Sequence, residues 1–152
     1  MVRSRLTLAA VIIAIPLASC GARPGVTVSI AGEKVPIVLS STTEGTRCST
    51  SHGDAFPENV PLTTVRMPAP VTLRFDAGQG ASEIRGWIYD LDAPSPAGGP
   101  IEEFTLPGRG GAHQARSIVP ERTYRVLVNV RWSFLVTEGE ETHVFRLRVE
   151  TP

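Results

Sequence analysis

The sequence predicts an all-β domain, a sandwich or barrel of short antiparallel strands. Three observations carry that expectation. Glycine (14) and proline (13) punctuate the chain throughout. Apolar and polar residues alternate over short runs, the period of a strand with one face buried. No long segment keeps the 3.6-residue period of an amphipathic helix.

The elements follow in order. Val26, Val28 and Ile30 alternate with Thr27 and Ser29, and Val35, Ile37 and Leu39 repeat the pattern. Gly32-Glu33 between them suits a type II′ turn, whose first position needs positive φ. These runs form an N-terminal hairpin. Leu62 to Arg66 is a short strand. Val71, Leu73 and Phe75 share one face, with Thr72 and Arg74 on the other. Ile84 to Leu91 is the next strand, with Trp87 inside it. Glu102–Leu106 and Ala112–Ile118 are weaker ones. Between them Leu106-Pro107-Gly108-Arg109-Gly110-Gly111 has the look of a phosphate loop. It lacks the lysine and following helix of one, so it reads as a turn. Tyr124, Val126, Val128, Val130 and Trp132 make the clearest face, with Arg125, Asn129 and Arg131 opposite. Phe145, Leu147 and Val149 form the last strand, against Arg146 and Arg148. Thr137 to Glu141 reads as the turn joining these two.

The first residues differ from the rest. Arg3 and Arg5 precede an apolar run from Leu6 to Leu17, and small residues Ala18 and Ser19 follow. Spanning a bilayer takes about 20 apolar residues, so this shorter run has the form of a secretory signal. Leu17-Ala18-Ser19-Cys20 resembles the lipobox of bacterial lipoproteins. The resemblance implies a diacylglyceryl group on Cys20, cleavage before it, and a place on the outer face of a cell membrane or envelope. Residues 1–19 are then a signal peptide, 20–25 a lipidated tether and 26–152 a single domain. The six residues from Cys20 to the first strand span at most about 20 Å. The domain's partner is therefore expected close to the bilayer.

Basic and acidic residues balance, 15 each; losing Arg3 and Arg5 leaves 13 basic, a net charge of −2. That does not suit a nucleic-acid partner, which calls for a basic face. Lys34 is the sole lysine, an arginine bias that fits a GC-rich genome. The two cysteines are Cys20 and Cys48. With Cys20 acylated, Cys48 has no partner within the chain.

From residue 62 onward the pattern resembles an immunoglobulin-like or fibronectin-like antiparallel sandwich. Trp87 in the third strand and Tyr124 opening the penultimate one carry the likeness. Pro120-Glu121-Arg122-Thr123 has the form of the turn before a tyrosine corner. The antibody disulfide is missing. The whole layout also resembles small exported proteins of Gram-positive bacteria, in the order lipobox, Val-rich hairpin, Cys-bearing polar loop, Tyr-x-Val…Trp and Phe-x-Leu-x-Val. That group's loop often holds two cysteines; here Cys48 stands alone. The resemblance implies no activity.

Candidate chemistry is sparse. Residues 40–61 are polar and without periodicity, a long loop of the kind that is functional or disordered. Cys48, His52 and Asp54 within it bring thiolate, imidazole and carboxylate together, a trio that could take Zn²⁺ or Cu²⁺. Three ligands are one fewer than structural zinc sites use. Asp90-x-Asp92, with Glu102 and Glu103, could supply oxygen ligands to Ca²⁺, although Asp at a strand end is an ordinary turn residue. No Gly-x-Ser-x-Gly is present, and His52, His113 and His143 are scattered, with His143 expected on the solvent side. The expectation is a non-enzymatic, lipid-anchored binding or assembly module of the cell envelope with no cofactor beyond the lipid. A metal or redox role through Cys48 and His52 is the alternative, and a small extracytoplasmic enzyme the second.

Overall fold

The computed structural model describes residues 23–46, 50–54, 57, 59–94, 98–134 and 137–152. Their regular structure is all strand: β1 Val26–Ile30, β2 Glu33–Val35, β3 Val38–Thr46, β4 Thr50–Asp54, β5 Leu62–Arg66, β6 Val71–Ala77, β7 Ala81–Asp90, β8 Glu102–Pro107, β9 Gly110–Ala115, β10 Arg122–Phe134 and β11 Thr137–Glu150. They build a β-sandwich. A 4-stranded sheet runs β2-β1-β6-β9, and a 7-stranded sheet runs β4-β3-β11-β10-β7-β8 with β5 also on β11. All pairings are antiparallel except β5 with β11. β3 and β5 share one edge of β11, β3 along its first half and β5 along its second. Among the described residues no helix is long and apolar enough to cross a membrane.

The core lies where alternation placed it. Val28, Ile30, Leu73 and Phe75 from the small sheet face Ile84, Ile88, Val126, Val128, Phe145 and Leu147 from the large one, all fully buried or nearly so. Burial of each such side chain is worth about 1.5–3 kcal/mol. Tyr124 is buried as well; its hydroxyl donates to the Val119 carbonyl (3.1 Å) and accepts from the Val119 N–H (2.9 Å). That is the upstream backbone contact expected of a tyrosine corner.

Several sequence expectations need correction. The β1–β2 turn is Ala31-Gly32, with both residues at positive φ (51° and 87°), a type I′ rather than a II′ turn. The I′ form matches the right-handed twist of the flanking strands. The run Val35–Leu39 is two strands, because Pro36 cannot donate to a ladder; the chain leaves the small sheet after Val35 and joins the large one at Val38.

Residues 40–61 are not one long loop: most of β3 and all of β4 lie within them, as a hairpin. The β3–β4 hairpin extends a 7-stranded sheet beside a 4-stranded one, so strand pairing there did not require an apolar face. Thr137 to Glu141 is the start of β11 rather than a turn. Pairing with β10 on one side and β3 on the other overrides the weak strand preference of Gly and Glu. Trp87 departs from the immunoglobulin pattern. Ile84, Gly86 and Ile88 point inward, so Trp87 lies on the outer face of the large sheet, and the Phe104 ring covers the inward position at Gly86.

The chain enters at one end of the sandwich. Pro24 is buried there, the Gly78 N–H donates to the Gly25 carbonyl (2.9 Å), and Trp132 closes the interior opposite Ala81 and Gly139. β1 runs away from this end, and β11 finishes at the other.

Candidate functional site

Strand register lays a block of side chains on the outer face of the large sheet. Tyr89, Arg125 and Arg146 form one cross-strand row, and Trp87, Leu127 and Val144 the next. These positions would normally meet water, yet Val144 is only 4% exposed and Leu127 is half-buried. They are covered because the chain after β7 and the segment before β5 rise beside them. A cavity of about 690 Å³ results, with Tyr89, Leu127 and Val144 in its floor and Val60, Leu91 and Ile101 in its walls. Leu91 and Ile101 remain 37% and 44% exposed, an apolar rim. Ser40 also lines the cavity. It lies at a bulge of β3: Ser41 pairs with Thr142 and Leu39 with His143, which leaves residue 40 unpaired on β11. Bulges redirect side chains in this way.

The charges near the cavity are unequal in their pairing. Asp90, at its edge, accepts from Arg122 (2.7 Å) and from the Asp92 N–H (2.9 Å). Asp92 in turn accepts from the Thr123 N–H (2.6 Å). Both carboxylates of the Asp-x-Asp motif are thus occupied in a turn, the ordinary role of Asp there. Arg125 and Arg146 sit opposite each other, and neither holds a carboxylate among the described residues. Arg146 Nε is buried with no hydrogen-bond partner.

Glu102 lies apart from the Asp pair in its interactions. It accepts from the Ser117 N–H (2.7 Å) and bonds His113 Nε2 (2.6 Å). Burial pushes its carboxyl up, but bonds from Ser117, His113 and Arg116 outweigh burial and hold it below the ordinary value. The His113 ring stacks on Phe104 with centroids 4.1 Å apart.

His143 requires correction: it faces the interior. It shares the parity of Phe145 and Leu147 and pairs with inward-facing Val128. Its Nε2 lies 3.2 Å from Glu141, whose other oxygen lies 3.4 Å from Arg23 of the entering segment. Burial pushes the His143 imidazole down, and the Glu141 carboxylate opposes that shift without overcoming it.

Cys20 and Cys48 lie outside the described residues. The backbone of β4 places His52 opposite Thr43 and Asp54 opposite Ser41. Among the described residues no group of three or more His, Cys, Asp or Glu side chains could hold a metal ion. The sequence reading missed the cavity. The available signal was three apolar residues, Trp87, Leu127 and Val144, at positions whose strand neighbours face inward. No family model, curated protein or solved structure matches this chain.

Proposed function

We propose that the chain is a membrane-anchored extracytoplasmic lipoprotein whose domain is a non-enzymatic binding or assembly module of the cell envelope. Its contact site is the outer face of the large sheet. The cavity over Leu127 and Val144 carries this reading, because an apolar concavity with a few polar groups is the usual form of a binding site. The resemblance of Leu17-Ala18-Ser19-Cys20 to a lipobox supports the anchor. No imidazole stands beside Ser40 among the described lining residues, which favours binding over hydrolysis.

An immunoglobulin-like ancestry is part of the proposal. It is supported by β6 pairing β9 in one sheet, by β10 lying between β7 and β11 in the other, and by the Tyr124 corner. The outward Trp87 counts against it.

The domain's orientation follows from where the chain enters. Tyr89 lies eight residues beyond Ala81, about 26 Å along β7 at roughly 3.3 Å per residue. The cavity thus opens on the flank, well away from the end at which the lipid would sit. The test is crosslinking in native membranes, with a photoreactive residue in place of Trp87 and mass spectrometry of the products. One dominant adduct, absent when the probe replaces outward-facing Arg74 of the small sheet, supports the proposal. Equal background from both positions refutes it.

A further inference from the structure

Arg66, Arg85, Arg122, Arg131 and Arg148 of the large sheet each have a carboxylate within 4.0 Å. Among the described residues no carboxylate lies within 4.0 Å of Arg125 or Arg146, which are cross-strand neighbours. Directly opposed like charges destabilise a strand pair. Neither guanidinium makes an ion pair with a described residue, and Arg146 Nε is buried without an acceptor. An anion placed over the pair would supply both the counter-charge and the missing acceptor. Guanidinium forks suit the two oxygens of a carboxylate or phosphate.

The adjoining space fixes the rest of the ligand. Arg125 lines the cavity, and the next row of the floor is Leu127 and Val144, with Val60, Leu91 and Ile101 around them. A volume of about 690 Å³ is that of a small-molecule site. The floor is the face of a sheet whose backbone is already paired on both sides, so a peptide could not join it as an added strand.

Resting on the proposed binding role of this face, we infer that the cavity takes a small anionic amphiphile, its oxyacid head held by Arg125 and Arg146 and its apolar body over Leu127 and Val144. Of the two charged residues that line the cavity, Asp90 is held by Arg122, so the guanidinium of Arg125 sets that orientation.

Isothermal titration of the full chain in phosphatidylcholine nanodiscs, with empty nanodiscs as reference, tests this. The probes are octyl phosphate, octanoate, octanol and inorganic phosphate. Octyl phosphate or octanoate should bind at least ten-fold more tightly than octanol or inorganic phosphate. Arg125→Gln should remove that preference, and Arg85→Gln, at an outward position already paired with Glu83, should keep it. Phosphate above carboxylate would identify a doubly charged head, and equality a singly charged one; both support the proposal. Octanol binding as well as octyl phosphate, an unchanged preference in Arg125→Gln, or no saturable binding of any probe would overturn it. In that last case a specific protein adduct at position 87 would still uphold the binding face, so the two proposals fail separately.

Discussion

Gly86→Ala is the substitution whose cost the structure defines most sharply. A Cβ at residue 86 would lie 2.0 Å from Phe104 Cζ and 2.3 Å from Cε1. The ring has little room to retreat. Phe75 lies on one side with centroids 5.3 Å apart, and His113 stacks on it at 4.1 Å. Phe104 is 8% exposed and Phe75 2%. Overpacking a core costs about 1–3 kcal/mol, and losing a buried Phe altogether costs about 3–5 kcal/mol. Displacing a ring clamped in this way should cost about 3 kcal/mol, near the meeting point of those ranges. For a domain of this size that lowers Tm by about 10 °C. Urea denaturation followed by tryptophan fluorescence measures it. Phe104→Leu should be destabilising alone, and the double variant should be more stable than the sum of the two by at least about 1 kcal/mol, because the shorter side chain vacates the space the methyl needs. A Gly86→Ala protein within about 0.5 kcal/mol of the parent, a margin typical of surface changes, or strict additivity in the double variant, would refute the reasoning.

Three further outcomes are expected. Tyr124→Phe removes a buried hydroxyl that serves both the N–H and the carbonyl of Val119, and should cost about 1–2 kcal/mol in urea denaturation. His143 titrates at lower pH in the folded chain than in the unfolded one. The unfolded state therefore binds its proton first, and stability falls as pH drops below about 6.5; His143→Gln should flatten the denaturation midpoint between pH 7 and 5, and an unchanged slope would exclude the imidazole as its source. Cys20→Ala should abolish incorporation of radiolabelled palmitate and release the protein from the membrane fraction; persistent labelling would place the lipid elsewhere.

Much of the fold was legible because burial and strand alternation coincide in its centre. Val71, Leu73 and Phe75 alternate strictly with polar residues, and Tyr124, Val126, Val128, Val130 and Trp132 do so except at Leu127; both sets face the interior. Legibility failed where pairing and burial part company. β3 and β4 are strands by their hydrogen bonds to neighbours, yet Thr and Ser fill them, so no hydrophobic period marks them. His143 has the parity of Phe145, which was there to read; its burial beside Glu141, two residues away on the same strand, is accompanied by a contact from Glu141 to Arg23, far upstream in the sequence. The cavity was hidden for a related reason. Its floor interrupts alternation with apolar residues on the outer face, and its walls come from irregular segments whose positions depend on tertiary packing. The unpaired state of Arg125 and Arg146 emerges only once β10 and β11 are in register.

The direction of β1 has a mechanical consequence. The chain passes Arg23 at one end of the sandwich, and β1 runs from Val26 toward the far end, paired with β6 from Val26↔Ala77 to Ile30↔Leu73. A pull on the segment before Arg23, along the strand, first strains the Arg23–Glu141 contact and the Gly78–Gly25 bond. Beyond those, the load falls on the β1–β6 ladder in shear. Antiparallel ladder bonds stand perpendicular to their strands, so under such a pull they share the force and yield together. A strand leaving from its other end would be peeled, with its bonds breaking one at a time. The geometry by which the chain enters the domain therefore makes its first strand a grip against tension.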